Sequence, residues 1–269
     1  MGAGYGTSSD RIAPRMRKAW VSVSGVAILA AAWEMAVRLE TGSLLPGPFA
    51  VVRAIGELAA NGLLWKHLVA SLFRVTWGYL LAVLLAVPAG MLLGSTRRPE
   101  QAIGPYLEVL RPISPLAWIP IAILWLGVGD QAAIAIIFLA SFLPLTLAVK
   151  NAVRRIPKVH LQAASNFGLG GAARVRKVIF PAIAPQLIVG LRLTMGIAWL
   201  VVVAAEMIAV NSGLGFLIID ARNAGNRYDL VVAGMVLIGM VGLGLDTALL
   251  RLERLPALRW GYANASERR

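Results

Sequence analysis

The sequence predicts an all-α, polytopic membrane protein with six transmembrane helices. Three observations predict it. Of its 269 residues, 58% are hydrophobic and only 14% charged, against roughly 45–50% apolar and 25% charged in soluble domains. Six runs with few or no charges approach the roughly 20 residues that a helix needs to cross about 30 Å of hydrocarbon, where only a helix satisfies its own backbone. The basic residues, finally, gather in alternate loops between those runs, on one side of the membrane, because an inserting chain resists translocating Lys and Arg.

Taken in order, residues 1–19 form a basic stretch holding Arg11, Arg15, Arg17 and Lys18. The first span, Trp20 to Val37, is apolar except for Glu34 and runs on past Ala30-Ala31-Ala32, so it reads as a retained helix and not a cleaved leader. Leu45-Pro46-Gly47-Pro48 is a turn, with Pro48 suited to open a helix. Val51, Val52, Ile55, Leu58 and Ala59 then share one face and Arg53 and Glu57 another, which predicts an amphipathic helix on the outer surface. Spans two, three and four are Val75 to Leu93, Pro112 to Gly129 and Gln131 to Val149. The third carries Pro112, Pro115 and Pro120, each removing a backbone donor, so its inner end is expected to break. Irregular backbone at membrane depth survives where protein or water satisfies it, which makes Ser114 and Trp118 candidates to line a path.

Residues 150–181 make a loop too long for a tight connection. Lys158 to Phe167 reads as a helix, Gly168 to Gly171 as a turn, and Ala172 to Phe180 as a second helix stopped by Pro181. Span five, Val178 to Met207, is interrupted by Arg192 and Glu206; span six, Leu230 to Leu250, by Asp246; residues 251–269 are a basic tail. The transmembrane domain is thus 20–250.

With the N-terminus inside, nineteen of the 26 Lys and Arg fall on the inner side and five on the outer, which favours both termini inside. The net charge of +13 is then an insertion signature, with lipid as partner and not nucleic acid. The absence of Cys excludes thiolate chemistry, and His67 and His160 alone make no metal site. A charge in hydrocarbon costs about 2.5–3.5 kcal/mol, so Arg192 and Asp246, on antiparallel spans, are expected to form a structural ion pair. Glu206 lies fourteen residues past Arg192, about 21 Å along a helix and near the outer surface, where it reads as a gate or interface residue. Met195 and Trp199 share a helical face and join Ser114, Trp118 and Ser141 as candidates for a translocation path.

Gln162-Ala163-Ala164, then Gly168, then Val178-Ile179-Phe180-Pro181 is similar to the cytoplasmic loop of the inner-membrane permeases of binding-protein-dependent ABC importers. That loop reads Glu-Ala-Ala, three residues, Gly, nine residues, Ile, one residue, Leu-Pro; every spacing is kept here, with Gln for Glu, Val for Ile and Phe for Leu. Leu44 to Pro48, Arg111 to Pro120, Gly196 to Leu200 and Ala205-Glu206 resemble the branch that carries nitrate, sulfonates, taurine and bicarbonate. The resemblance implies a type I ABC importer permease fold in the cell inner membrane, with both termini cytoplasmic. It also implies a second permease chain forming a homodimer, an external solute-binding protein, and two ATPase subunits. Each ATPase would receive a coupling helix built on Gln162, Ala163, Ala164, Gly168 and Pro181. The chain has no Gly-x-x-x-x-Gly-Lys-Ser/Thr loop, so it is expected to bind no cofactor and to be no enzyme, with ATP and Mg held by the partner ATPases. A secondary transporter or channel, the alternative, leaves the large loop without a purpose; a membrane enzyme would need catalytic groups clustered at one depth.

Overall fold

The computed structural model describes residues 13–39, 45–223 and 225–253; most of the basic N-terminal stretch (1–12), Leu44 and the tail from 254 onward lie outside the described residues. The described chain is built from helices: α1 (Ala13–Leu39), α2 (Pro48–Ala60), α3 (Leu63–Ser95), α4 (Arg97–Leu110), α5 (Ile119–Leu126), α6 (Asp130–Arg154), α7 (Lys158–Asn166), α8 (Gly171–Ala209), α9 (Leu214–Asn223) and α10 (Tyr228–Glu253). Among the described residues four helices, α3, α6, α8 and α10, are long and apolar enough to cross a membrane. The 27 residues of α1 reach about 40 Å at 1.5 Å per residue, and its Trp33 packs on the main core.

The break expected at the inner end of the third span is present. The eight residues of α5 rise only about 12 Å. They follow a 3-10 turn at Pro115–Trp118, and this segment meets α4 at 90°. Pro115 holds Ser114 in extended backbone (φ −60, ψ 129), because its ring disfavours helix in the residue before it. At the other end Gly127 at φ 78 stops α5. The crossing is therefore a bent pair of short helices, which stands beside the four long apolar helices and α1 among the described residues.

The central seam joins α3 to α6. Gly78, Ala82, Ala86, Gly90 and Gly94 recur every four residues along α3, a ridge of small side chains that lets two backbones approach closely without a hydrophobic drive from lipid. Into it pack Ile137, Leu145, Val149 and Val153, also four or eight apart and buried. A Cβ on Gly90 would lie 2.6 Å from Val149 Cβ and 2.7 Å from the Thr146 carbonyl oxygen. Gly78 faces Ile137 and Gly94 faces Val153, so the two helices run parallel. The long α8 runs antiparallel to them, with Gly190 against Ala148 and Leu145.

At one end α2 covers the bundle. Its buried ridge is Val51, Ala54 and Leu58, while Val52, placed on that face by the sequence, is 67% exposed. Arg227, just before α10, reaches Glu57 of α2 at 2.9 Å.

At the opposite end α7 closes in a Schellman turn. Leu169 N–H donates to the Ala164 carbonyl at 2.9 Å and Gly168 N–H to Ser165 at 3.0 Å, with Gly168 in the left-handed region at φ +68. The expected stop at Pro181 is corrected. The helix that begins at Gly171 runs unbroken for 39 residues to Ala209, through a π-turn at Val175–Ile179 and past Pro181 and Pro185. Proline cannot donate to the carbonyl four residues back and its ring clashes with it; the wider π-turn just before Pro181 relieves that clash.

Candidate functional site

The α7–α8 joint stands out from the bundle. Gln162 and Ala163 are exposed and Ala164 is buried, so the short side chain of Ala164 sets the helix down while its neighbours face outward. Phe167, at the tip, is 83% exposed. Gln162 lines a depression of about 290 Å³ with Lys158, Ser165, Asn166 and Arg174. The Arg174 Nε is buried there without a hydrogen-bond partner. Pro181 lies nearly three turns along α8, just beyond the π-turn. Beside the joint, Glu100 of α4 is held by Arg154 and, at 3.6 Å, by Lys150 of α6.

The opposite end holds a buried polar network. The Arg74 guanidinium, 2% exposed, donates to Glu206 Oε1 (2.7 Å), to Asp130 Oδ1 (2.7 Å) and to the Ser212 carbonyl (2.7 Å). The second Glu206 oxygen accepts from Ser71 Oγ (2.9 Å) and from Gly215 N–H (3.0 Å). Ser71 accepts in turn from Leu214 N–H, and His67 Nδ1 from Gly213 N–H at 3.0 Å. A Cβ on Gly213 would overlap the Glu206 carboxylate. Four pieces, α3, α6, α8 and the α8–α9 turn, are tied at one point by groups whose donors and acceptors are matched, which is what a fully buried carboxylate needs.

The expected path residues part company. Ser114 is exposed, between Ile113 and Pro115, both of which line a cavity of about 570 Å³ bounded by α4, α6 and α8. Trp118 and Met195 pack against the main core. Ser141 is fully buried, because it shares the four-residue register of Ile137 and Leu145 on the α3 side of α6, and its hydroxyl donates to the Ile137 carbonyl at 2.9 Å. Trp199 faces α10, donating Nε1–H to the Ile238 carbonyl at 3.1 Å beside Gly242. Arg192 and Asp246 meet across α8 and α10 with two parallel bonds of 2.6 and 2.9 Å, each side chain about two-fifths exposed.

Residues 78–255 match the family model described as the binding-protein-dependent transport system inner membrane component. This chain belongs to that family. It is similar to a putative ABC transporter permease protein of Methanocaldococcus jannaschii, at 36% identity over 87% of this chain and 89% of that one. It is also similar to the taurine transport system permease protein of Escherichia coli, at 32% identity over 90% of each chain. In fold it is similar to the inward-facing MetNI methionine ABC transporter, with a TM-score of 0.64 at 21% identity over 73% of this chain and 97% of that one.

The permease is thus a multi-pass inner-membrane transport subunit, all-α with the type I importer fold, and ATP hydrolysis is carried by separate subunits. The partners of Glu206 are what the sequence reading missed. Arg74 is left at the edge of a span that begins at Val75, whereas α3 begins at Leu63. Two opposite charges at the same end of neighbouring spans were the available signal.

Proposed function

We infer that this permease imports a small anion of the nitrate, sulfonate, taurine or bicarbonate class, driven by two ATPase subunits that dock on the α7–α8 joint. The relatives named for taurine in Escherichia coli, aliphatic sulfonates in Bacillus subtilis and nitrate in Synechocystis support the solute class. The single observation that carries the coupling role is the joint itself: an exposed turn fixed at Gly168 and joined without a break to the 39-residue α8. Displacing Gln162, Ala163, Ala164 and Gly168 therefore moves a rigid rod past Pro181 into the bundle, and closure of the ATPases on ATP and Mg tilts that rod to open the path outward.

A second, identical permease chain completes the path, and an external binding protein delivers the solute to the end capped by α2 and α9. The joint and both termini are then cytoplasmic, in keeping with the excess of Lys and Arg there. Glu206 with Arg74 acts as the outer gate or interface, Arg192 with Asp246 as a structural clasp. The path passes Ser114, between the cavity-lining Ile113 and Pro115, and Trp118, Ser141, Met195 and Trp199 support it from behind. The test is co-purification of the permease with its ATPase. Wild type is expected to retain the ATPase and an Ala163→Glu/Ala164→Glu variant to lose it, with membrane insertion unchanged. Retention of the ATPase by that variant would remove the joint from the account.

A further inference from the structure

The cavity of about 570 Å³ belongs to neither the joint nor the outer network. Its size is within the roughly 300–1,000 Å³ range of small-molecule sites. Along α6 its wall is Leu139, Leu143, Leu147 and then Lys150, one helical face about 16 Å long at 1.5 Å per residue. Ile197 of α8 lies against the apolar part, and Arg111 at the end of α4 lines the cavity with Lys150. The track is thus greasy toward the middle of the bundle and cationic toward the α7 end.

Lys150 has a largely buried side chain whose ammonium keeps spare capacity toward the cavity. Its side chain is 7% exposed, and its ion pair with Glu100 spans 3.6 Å, beyond hydrogen-bond reach, while Arg154 holds the same carboxylate closely. An ammonium offers three donors, and Lys150, which lines the cavity, has donors that Glu100 leaves free for an anion there. Arg111 is exposed and forms no ion pair among the described residues. Glu108 on the rim leaves the lining with one surplus positive charge.

We propose that this cavity is a solute site within the permease itself, taking an organic oxyanion with a short apolar tail, an alkanesulfonate in preference to nitrate. The proposal rests on the anion-import reading above and deepens it. Lys150 and Arg111 hold the oxyanion head; Leu143, Leu147 and Ile197 hold the tail, for which bare nitrate has no use.

The experiment uses the complete importer, with its ATPase and binding protein, in vesicles given labelled ethanesulfonate, taurine or nitrate. Wild type is expected to take up ethanesulfonate, with Lys150→Met and Arg111→Gln each slowing uptake roughly tenfold or more, the effect of losing a hydrogen bond to a charged group. ATPase activity stimulated by the binding protein should persist in both. Lys150→Arg should restore uptake, and Glu100→Gln should leave it near wild type; a loss in Glu100→Gln equal to that in Lys150→Met would reduce Lys150 to a structural partner and overturn the site. Unchanged ethanesulfonate uptake by Lys150→Met and by the exposed Arg111→Gln would overturn it as well. So would a fall in permease dimer content in these variants, which would make the groove a seam between two copies. Uptake of nitrate alone by wild type would overturn the choice of ligand, and uptake of none of the three would overturn the anion reading beneath it.

Discussion

Replacing Arg74 by Leu tests the buried network at its centre. Glu206 has no exposed surface, and of its three donors Arg74 is the one that carries charge. Without it a carboxylate stays in the bundle with one hydroxyl and one backbone N–H, while Asp130, whose side chain is 54% exposed, can turn to water. Breaking a buried pair by removing one partner costs about 3–5 kcal/mol, and this geometry gives no reason for less. Adding Glu206→Gln to the same chain removes the stranded charge and should recover on the order of 0.5–3 kcal/mol, the range of coupling between residues in contact. The assay is unfolding of the purified permease in mixed micelles under a denaturing detergent, followed by tryptophan fluorescence. A cost under about 1 kcal/mol for Arg74→Leu, typical of a surface pair, would refute the reasoning, as would a double variant less stable than Arg74→Leu alone.

Three further outcomes are expected. Gly168→Val places a β-branched residue at φ +68, a strain of about 1–2 kcal/mol; it should uncouple ATP hydrolysis from uptake while insertion stays intact, measured by both rates in one vesicle preparation. Gly90→Ile forces a side chain where a Cβ already lies 2.6 Å from Val149; overpacking of this kind costs about 1–3 kcal/mol or more, so extractable folded protein should fall sharply, whereas Gly90→Ala should be milder. Arg192→Asp breaks the clasp between α8 and α10 and should reduce assembly of the complex on size-exclusion chromatography. Arg192→Asp/Asp246→Arg should regain it, and a swap that regains nothing would argue against the clasp.

The helices were legible in the sequence because hydrocarbon imposes so crude a demand, long runs of apolar residues with their flanking cations. Arg192 and Asp246 could be placed at similar depth for the same reason. The break in the third span was legible from Pro112, Pro115 and Pro120, but its consequence, a 90° bend against α4, depends on where α4 packs. Pro181 misled because proline usually ends a helix, and a π-turn leaves no mark in composition. Ser141 and Trp199 are path candidates by type; the rotation of a helix about its axis decides which polar group faces a cavity, and for α6 the small-residue ridge of α3 sets that rotation. Arg111 and Lys150, 39 positions apart in the chain, share a cavity only because the bent pair folds back along α6.

The most direct measurement is uptake by vesicles containing the permease, with and without its ATPase and binding protein. The account predicts accumulation only when ATP, both ATPase subunits and the binding protein are present, and none from the permease alone. Accumulation by vesicles holding this chain and no ATPase would contradict it, and would mean that the α7–α8 joint transmits nothing.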